Sequence, residues 1–298
     1  MSALPSSRIC GIAAALALTV AAVFTPGRAP LADNAGPPQA SRVVAVGGSV
    51  TEVIFALGEQ DRLIARDTTS IFPEEANALP DVGYIRALSP EGVLSVDPDL
   101  VLMLEGSGPP EAVAVLKKSG VAVADVPETY TAEGIVAKVR KVGAVLGVPE
   151  KAEALAEKLE ADLSAAQQDA EGKSSGVRVL FVLSTKGGRI LASGSDTAAD
   201  GILKLAGAEN AVSDFSGYKQ LSDEAILSAA PDVVLMMDRT GDHGTSAEAL
   251  FEHPALGQTP AGLNNRLVKM GGQYLLGFGP RTAAAIRDLA VELSGIRS

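Results

Sequence analysis

The chain has 298 residues, with 36 acidic and 25 basic side chains for a net charge of −11, and 47% apolar residues against 4% aromatics. That length supports one large domain or two ordinary ones with a core that folds without staples, and the acidity argues against nucleic acid or an anionic membrane surface as partner. A single Cys excludes a disulfide framework or thiolate cluster, and two His exclude a three-histidine metal site.

In chain order, Arg8 precedes an uncharged apolar run, residues 9–24, which Pro26 ends. The run is short for a membrane span and suits the core of a secretory signal, residues 1–32, with a cut near Ala29 or Ala32. A retained membrane anchor is the other reading. Cys10 lies inside the run, too early for a lipid-attachment cysteine, and leaves with the signal along with Arg8 and Arg28. Residues 33–41 (DNAGPPQAS) read as a flexible leader. RVVAV (42–46), RLIAR (62–66), DLVLML (99–104) and VAVADV (121–126) then predict buried strands. They alternate with predicted helices 50–57, 90–95, 110–119 and 132–146, the pattern of an α/β fold with a mostly parallel sheet. In residues 149–172, Pro149 suits a first helical position, and Ala152, Leu155, Leu159, Leu163 and Ala166 form one stripe at helical spacing. This connecting helix would be about 33 Å long. Strands resume at 177–184, 231–237 and 266–270, and a last helix is predicted over 281–295. The expected architecture is an N-terminal α/β lobe (42–148), the connecting helix (149–172) and a C-terminal α/β lobe (173–298), with a ligand cleft between lobes.

An internal repeat supports two related lobes. LSPEGVLSVDPDLVLML (88–104) and LSDEAILSAAPDVVLMM (221–237) are identical at ten of seventeen positions, and each follows a Gly-Tyr pair, Gly83-Tyr84 and Gly217-Tyr218. Each half also opens on an RVxxV-like strand and carries a G-S-x-T segment (48–51; 194–197). Two copies do not make a solenoid.

The chain has no G-x-x-x-x-G-K-[ST] or H-E-x-x-H, and GKSSG (172–176), which has the letters of G-x-S-x-G, runs from a predicted helix into a strand rather than from strand to helix as a nucleophile elbow requires. GFGPR (277–281) reads as a turn feeding the last helix, because Pro280 removes an N–H that a phosphate loop needs. His243 and His253 have no Ser or Cys nucleophile beside them and read as structural or solvated. Nothing in the sequence argues for an enzyme.

The motifs ARDTTS (65–70) and LPDVGYIRALSPEG (79–92), within residues 43–102, resemble the N-terminal lobe of haem-binding periplasmic proteins of ABC importers. Residues 188–212, 217–236 and 275–290 are similar to the C-terminal lobe of that family, so the resemblance covers nearly all of 42–296. The wider superfamily includes vitamin B12, siderophore and metal-ion receptors, whose lobes are bridged by one long helix. The resemblance implies a periplasmic, exported monomer that captures ferric haem b and hands it to an inner-membrane ABC permease dimer. Cobalamin, a ferric siderophore or a metal ion is the alternative cargo, and an exported hydrolase a more distant reading.

By the same resemblance, Tyr84 supplies the axial ligand to haem iron. A phenolate is a hard anionic donor suited to ferric iron, but it needs a nearby positive charge to ionise at neutral pH. Arg86, two residues on, is expected to hydrogen-bond that phenolate or a haem propionate. Some family members add a histidine ligand from the second lobe; the matching stretch here, VLSTKGGRI (182–190), has no His, so five-coordinate iron is expected. Arg239 is the candidate for the other haem face or a propionate, with Lys186, His243 and Tyr218, the repeat counterpart of Tyr84, as further contacts. Glu91 and Glu224 occupy equal positions in the repeat at helix starts, where the helix dipole favours a carboxylate. The resemblance gives such a pair a second task, docking onto arginines of the permease.

Overall fold

The β-branched runs become strands because they can be covered on both faces. The computed structural model describes residues 40–238 and 246–296; the expected signal, most of the leader, Arg239 and His243 lie outside them. The first half holds β1 (Val43–Val46), β2 (Leu63–Arg66), β3 (Leu100–Leu104) and β4 (Ala122–Val126), all parallel, in the order β2-β1-β3-β4. Its helices are α1 (Gly48–Ala56), α2 (Pro90–Leu94), α3 (Pro110–Lys118) and α4 (Ala132–Leu146). All four residues of β1 are buried, as a central strand covered on both sides requires.

Beyond α5 (Pro149–Ala170) come β5 (Arg178–Ser184), β6 (Leu191–Ser193), β7 (Glu209–Asn210), β8 (Tyr218–Gln220), β9 (Val233–Asp238) and β10 (Leu267–Gly271). The second sheet runs β10-β9-β5-β6-β8, with β7 on β5. Its central strands are parallel, while β6 and β8 run antiparallel at one edge. Those two strands escape a reading of apolar runs because each is three residues long and β8 is exposed throughout. The helices are α6 (Ala198–Leu205), α7 (Asp223–Ala229), α8 (Ala247–Phe251), α9 (Pro260–Leu263), α10 (Gly272–Leu276) and α11 (Thr282–Ser294). None of the described helices is long and apolar enough to cross a membrane.

The repeat is structural. β1 lies beside β3 and β5 beside β9, both pairs parallel, so each lobe joins its first strand to the strand that ends the repeated segment. Ser89 caps α2 and Ser222 caps α7 by accepting the N–H of Gly92 and of Ala225, each at 3.3 Å. The G-S-x-T likeness is one of letters only, since Thr51 lies inside α1 whereas Thr197 caps α6.

The outer faces of the two sheets have their own cores, Val44, Val101 and Leu116 in the first and Leu180, Ile226 and Val234 in the second. The inner faces share one core, which runs from Val43 and Leu102 through Leu163 of α5 to Phe181, Leu235 and Ile286. The stripe expected on α5 is there, with Ala152, Leu159, Leu163 and Ala166 buried and Leu155 partly so; Ala156 and Ala170 complete it. Ion pairs fasten α5 on both sides: Arg140 of α4 to Glu153 at 2.6 and 2.8 Å, and Arg287 of α11 to Asp162 and Asp169 at 2.7 and 2.9 Å.

Beside this core the lobes meet along a polar seam. Glu52 of α1 has only 5% of its side chain exposed, and Arg281, from the other lobe, donates to both its carboxylate oxygens at 2.7 and 3.0 Å. Gln273 donates to the same carboxylate at 2.7 Å and accepts the N–H of Ile71 at 3.0 Å. The Arg281 guanidinium lies 3.6 Å from the centre of the Phe72 ring. Nearby, the fully buried Lys138 of α4 donates to Glu128, to Ser49 and, across the seam, to the carbonyl of Phe278 at 2.8 Å. Gly48 permits this approach, since a β-carbon there would stand 2.7 Å from Gln273 and 2.9 Å from the carbonyl of Thr69. The GFGPR turn of the sequence reading is therefore part of the seam between lobes.

Breaking a buried pair from one side leaves a charge without compensation. Arg281→Ala should lower the unfolding free energy by about 3–5 kcal/mol, measured by denaturant titration; a loss below about 1 kcal/mol would show that the pair behaves like an exposed one.

Candidate functional site

The site is built on the loop that follows β2. Buried Asp67 ties the start of this loop: it accepts the N–H of Gly47 at 2.9 Å, the N–H and hydroxyl of Thr69 at 3.0 and 2.6 Å, and the hydroxyl of Ser70 at 2.6 Å. This knot accounts for the Asp, the second Thr and the Ser of D-T-T-S, while the first Thr, Thr68, donates to Asp81 at 3.2 Å. Residues 80–83 then run beside the end of β2, with bonds from Arg66 N–H to Pro80, Val82 N–H to Arg66 and Thr68 N–H to Gly83. Arg66 pairs with Asp81 at 3.2 Å. Gly83 has φ 106°, a backbone region open to glycine, and its N–H is held by Asp81 at 2.8 Å.

Tyr84 begins a tight turn closed by the Ala87 N–H on its carbonyl at 2.7 Å. Gly108, in the loop after β3, pins the turn by donating to Ile85 at 2.9 Å and accepting from Leu88 at 2.8 Å. The backbone of Tyr84 is thus fixed on both sides, while the residue remains 47% exposed. Its hydroxyl has no hydrogen-bond partner among the described residues. Arg86 is exposed, and its guanidinium likewise has no ion pair or hydrogen bond among them.

The charge of Arg86 reaches two further tyrosines. Tyr130, between β4 and α4, packs edge-on against Phe278 of the other lobe at 5.2 Å. Burial pushes its phenol up, the Glu128 carboxylate adds to this, and Arg86 opposes. Tyr218 opens β8 and is 42% exposed. Burial pushes its phenol up as well, Tyr130 adds to this, and Arg86, Ser193 and Thr197 oppose. Ser193 and Thr197, both buried in the second lobe, are the side chains whose hydrogen bonding opposes the upward shift. The arrangement joins one free phenol and one free guanidinium from the first lobe to Tyr130 at the seam and Tyr218 on the second lobe. Tyr130 was missed in the sequence because PETYTA carries no motif; its contact with Phe278 is the signal, and it is tertiary.

Other sequence candidates lie elsewhere. Lys186 is exposed in the turn after β5, and no described contact links its side chain to this group. Glu91 and Glu224 are both the second residue of their helices, α2 and α7, one in each lobe, and exposed. A hydrogen bond from Ser89 (2.7 Å) and then its own backbone N–H lower the Glu91 pKa; for Glu224 the backbone N–H comes first and Ser222 second. His253 accepts the N–H of Ala255 and Leu256 through Nδ1, a structural use.

Residues 43–274 match the family model described as periplasmic binding protein. A solved structure of the periplasmic heme-binding protein BhuT in complex with two hemes is 40% identical, with a TM-score of 0.80, covering 86% of this chain and 99% of its own. The periplasmic heme-binding protein RhuT from Roseiflexus sp. RS-1, in apo form, is 35% identical with a TM-score of 0.82, over 87% of this chain and 100% of its own. Among curated relatives, the uncharacterized ABC transporter substrate-binding lipoprotein YvrC of Bacillus subtilis is 27% identical over 84% of this chain and 78% of its own length. A vitamin B12-binding protein of Vibrio parahaemolyticus is 24% identical over 86% and 90%. Such proteins work outside the cytoplasmic membrane with ABC transporter permeases. The matched span exceeds half of the chain, which therefore belongs to the periplasmic binding protein family, in the superfamily of haem, B12 and siderophore receptors, and is a solute-binding protein rather than an enzyme.

Proposed function

We propose that the protein captures ferric haem b between its lobes and delivers it to an inner-membrane ABC permease. The observation that carries this reading is Tyr84: a phenol held by a pinned turn, with a free hydroxyl and a free guanidinium two residues away. On this reading the Tyr84 phenolate ligates the iron from the first lobe, the ferric charge and Arg86 favour its ionised form, and Arg86 also reaches a propionate. Tyr218 lends its ring face to the porphyrin rather than a second oxygen ligand, because burial makes its phenol harder to ionise. Lys186 and Arg239 are kept as candidates for a propionate or the distal face. The proposed organisation is a cleaved signal 1–32, a leader 33–41, lobes 42–148 and 173–298, and a bridge 149–172, in a monomer. Glu91 and Glu224, held ionised on one helix in each lobe, are proposed to dock onto cationic residues of the permease.

The vitamin B12-binding relatives favour a second reading, cobalamin or a ferric siderophore in the same cleft. A bare metal ion is less suited, since the described residues contain no group of three His, Cys, Asp or Glu side chains able to hold one.

Hemin titration of the purified protein should give a Soret shift with ferric tyrosinate character. Tyr84→Ala should weaken binding by about a hundredfold or more, equivalent to about 3 kcal/mol, and an unchanged spectrum and affinity would remove Tyr84 as ligand. Tyr218→Phe should keep the tyrosinate spectrum and lose less than about tenfold in affinity, as for a ring contact. If cyanocobalamin binds and hemin does not, the second reading holds. In a haem-auxotrophic host, Glu91→Ala/Glu224→Ala should abolish uptake; normal uptake would sink the docking assignment.

A further inference from the structure

Behind each docking helix lies the same joint, built from residues that the sequence reading treated only as strand starts and a shared Pro-Asp. In the first lobe, Arg42 donates through Nε to the carbonyl of Asp97 at 2.6 Å and through Nη2 to the carbonyl of Val96. In the second, Arg178 donates through Nε and Nη2 to the carbonyl of Ala229 at 3.1 and 2.8 Å, and through Nη2 to Ala211 at 3.3 Å. Val96 and Ala229 are equivalent positions of the repeat. So are Asp97 and Ala230, which follow them and both turn left-handed, at φ 52° and 39°. Two residues further on, Asp99 accepts the N–H of Arg42 at 3.1 Å and Asp232 accepts the N–H of Arg178 at 2.9 Å. The backbone closes the ring, with Asp99 N–H on Arg42 at 3.0 Å and Asp232 N–H on Arg178 at 2.8 Å.

Each guanidinium thus caps carbonyls at the C-terminal end of the helix that carries Glu91 or Glu224, Val96 and Asp97 just past α2 and Ala229 as the last residue of α7, where a cation complements the helix dipole. Each Asp locks the same arginine's backbone to the strand that follows. The helix is fastened to the first strand of its lobe, β1 or β5, which lies at the centre of the sheet. The same joint recurs with different flanking letters, and it sits behind the two glutamates.

We infer that Arg42 and Arg178 are positioning residues for the docking surface: they fix α2 and α7 to the lobe cores, so that the two glutamates meet the permease at a set spacing and transmit its pull to whole lobes. This rests on the docking reading given above. A lysine keeps the charge but cannot bridge two carbonyls with a rigid fork, so Arg42→Lys/Arg178→Lys tests the geometry without altering net charge.

The measurement is the affinity of the full-length exported protein for its permease in nanodiscs, without added ligand, in a four-variant cycle. Arg42→Lys/Arg178→Lys should weaken permease binding by about tenfold while leaving hemin affinity within about twofold. Placed on top of Glu91→Ala/Glu224→Ala, it should cause no further loss, because the arginines act through the glutamates. An equal loss in both backgrounds would mean general structural damage and overturn the inference, as would no loss at all. If the glutamate variant alone binds the permease normally, the docking reading fails and takes this inference with it. If only the arginine variant binds normally, the inference alone fails. Should the double lysine variant not fold, the single Arg42→Lys and Arg178→Lys variants carry the same cycle, each against the glutamate of its own lobe.

Discussion

A buried carboxylate cannot be left alone in a protein interior, and Glu52 finds its partners across the lobe boundary in Arg281 and Gln273. Separating the lobes along this line would strand a charge on one side and two donors on the other. Lys138 repeats the constraint a short way off, with its ammonium held by Glu128 of its own lobe and the Phe278 carbonyl of the other. The seam therefore fixes how far apart the two walls of the cleft stand. Under the proposed function Tyr84 depends on that fixed distance, since a ligand phenol pinned on one wall serves only if the opposite wall, with Tyr218 on it, stays within reach.

Duplication has produced two walls with the same letters and different chemistry. Gly83 and Gly217 both have positive φ, and both precede a tyrosine that is near half exposed. The difference lies in what surrounds the hydroxyl. Burial raises the phenol of Tyr218 while Ser193 and Thr197 oppose it, whereas the hydroxyl of Tyr84 has no bonding partner among the described residues.

Much of this fold was legible in the chain. Apolar runs buried on both faces, such as VVAV and LVLML, mark central strands regardless of context, and the stripe from Ala152 to Ala166 marks a helix packed along one side. β6 and β8 were not legible, because each is three residues long, too short to show a pattern, and the edge strand β8 is exposed throughout. The resemblance pointed to Tyr84 and Arg86, while the reason for the motif around them, the Asp67 knot and the Gly108 clasp, joins loops far apart in sequence. The GFGPR turn was legible as a turn, yet its use as a seam depends on Glu52 and Lys138 lying opposite it. Arg42 and Arg178 were invisible as a pair for a related reason: the carbonyls they cap belong to residues more than fifty positions away.

The shared inner core has a consequence for how the molecule holds together over time. Val43 of the first sheet and Leu235 of the second belong to one continuous apolar body with α5 through its middle. Neither half can melt without exposing the other's inner face to water, so heat or denaturant meets a single cooperative unit despite the duplicated plan. A protein of a family that works outside the cytoplasmic membrane, with a single Cys and so no disulfide within its own chain to staple it, gains from this. Local opening of one lobe, the usual first step toward proteolytic nicking, is tied to the unfolding of the whole.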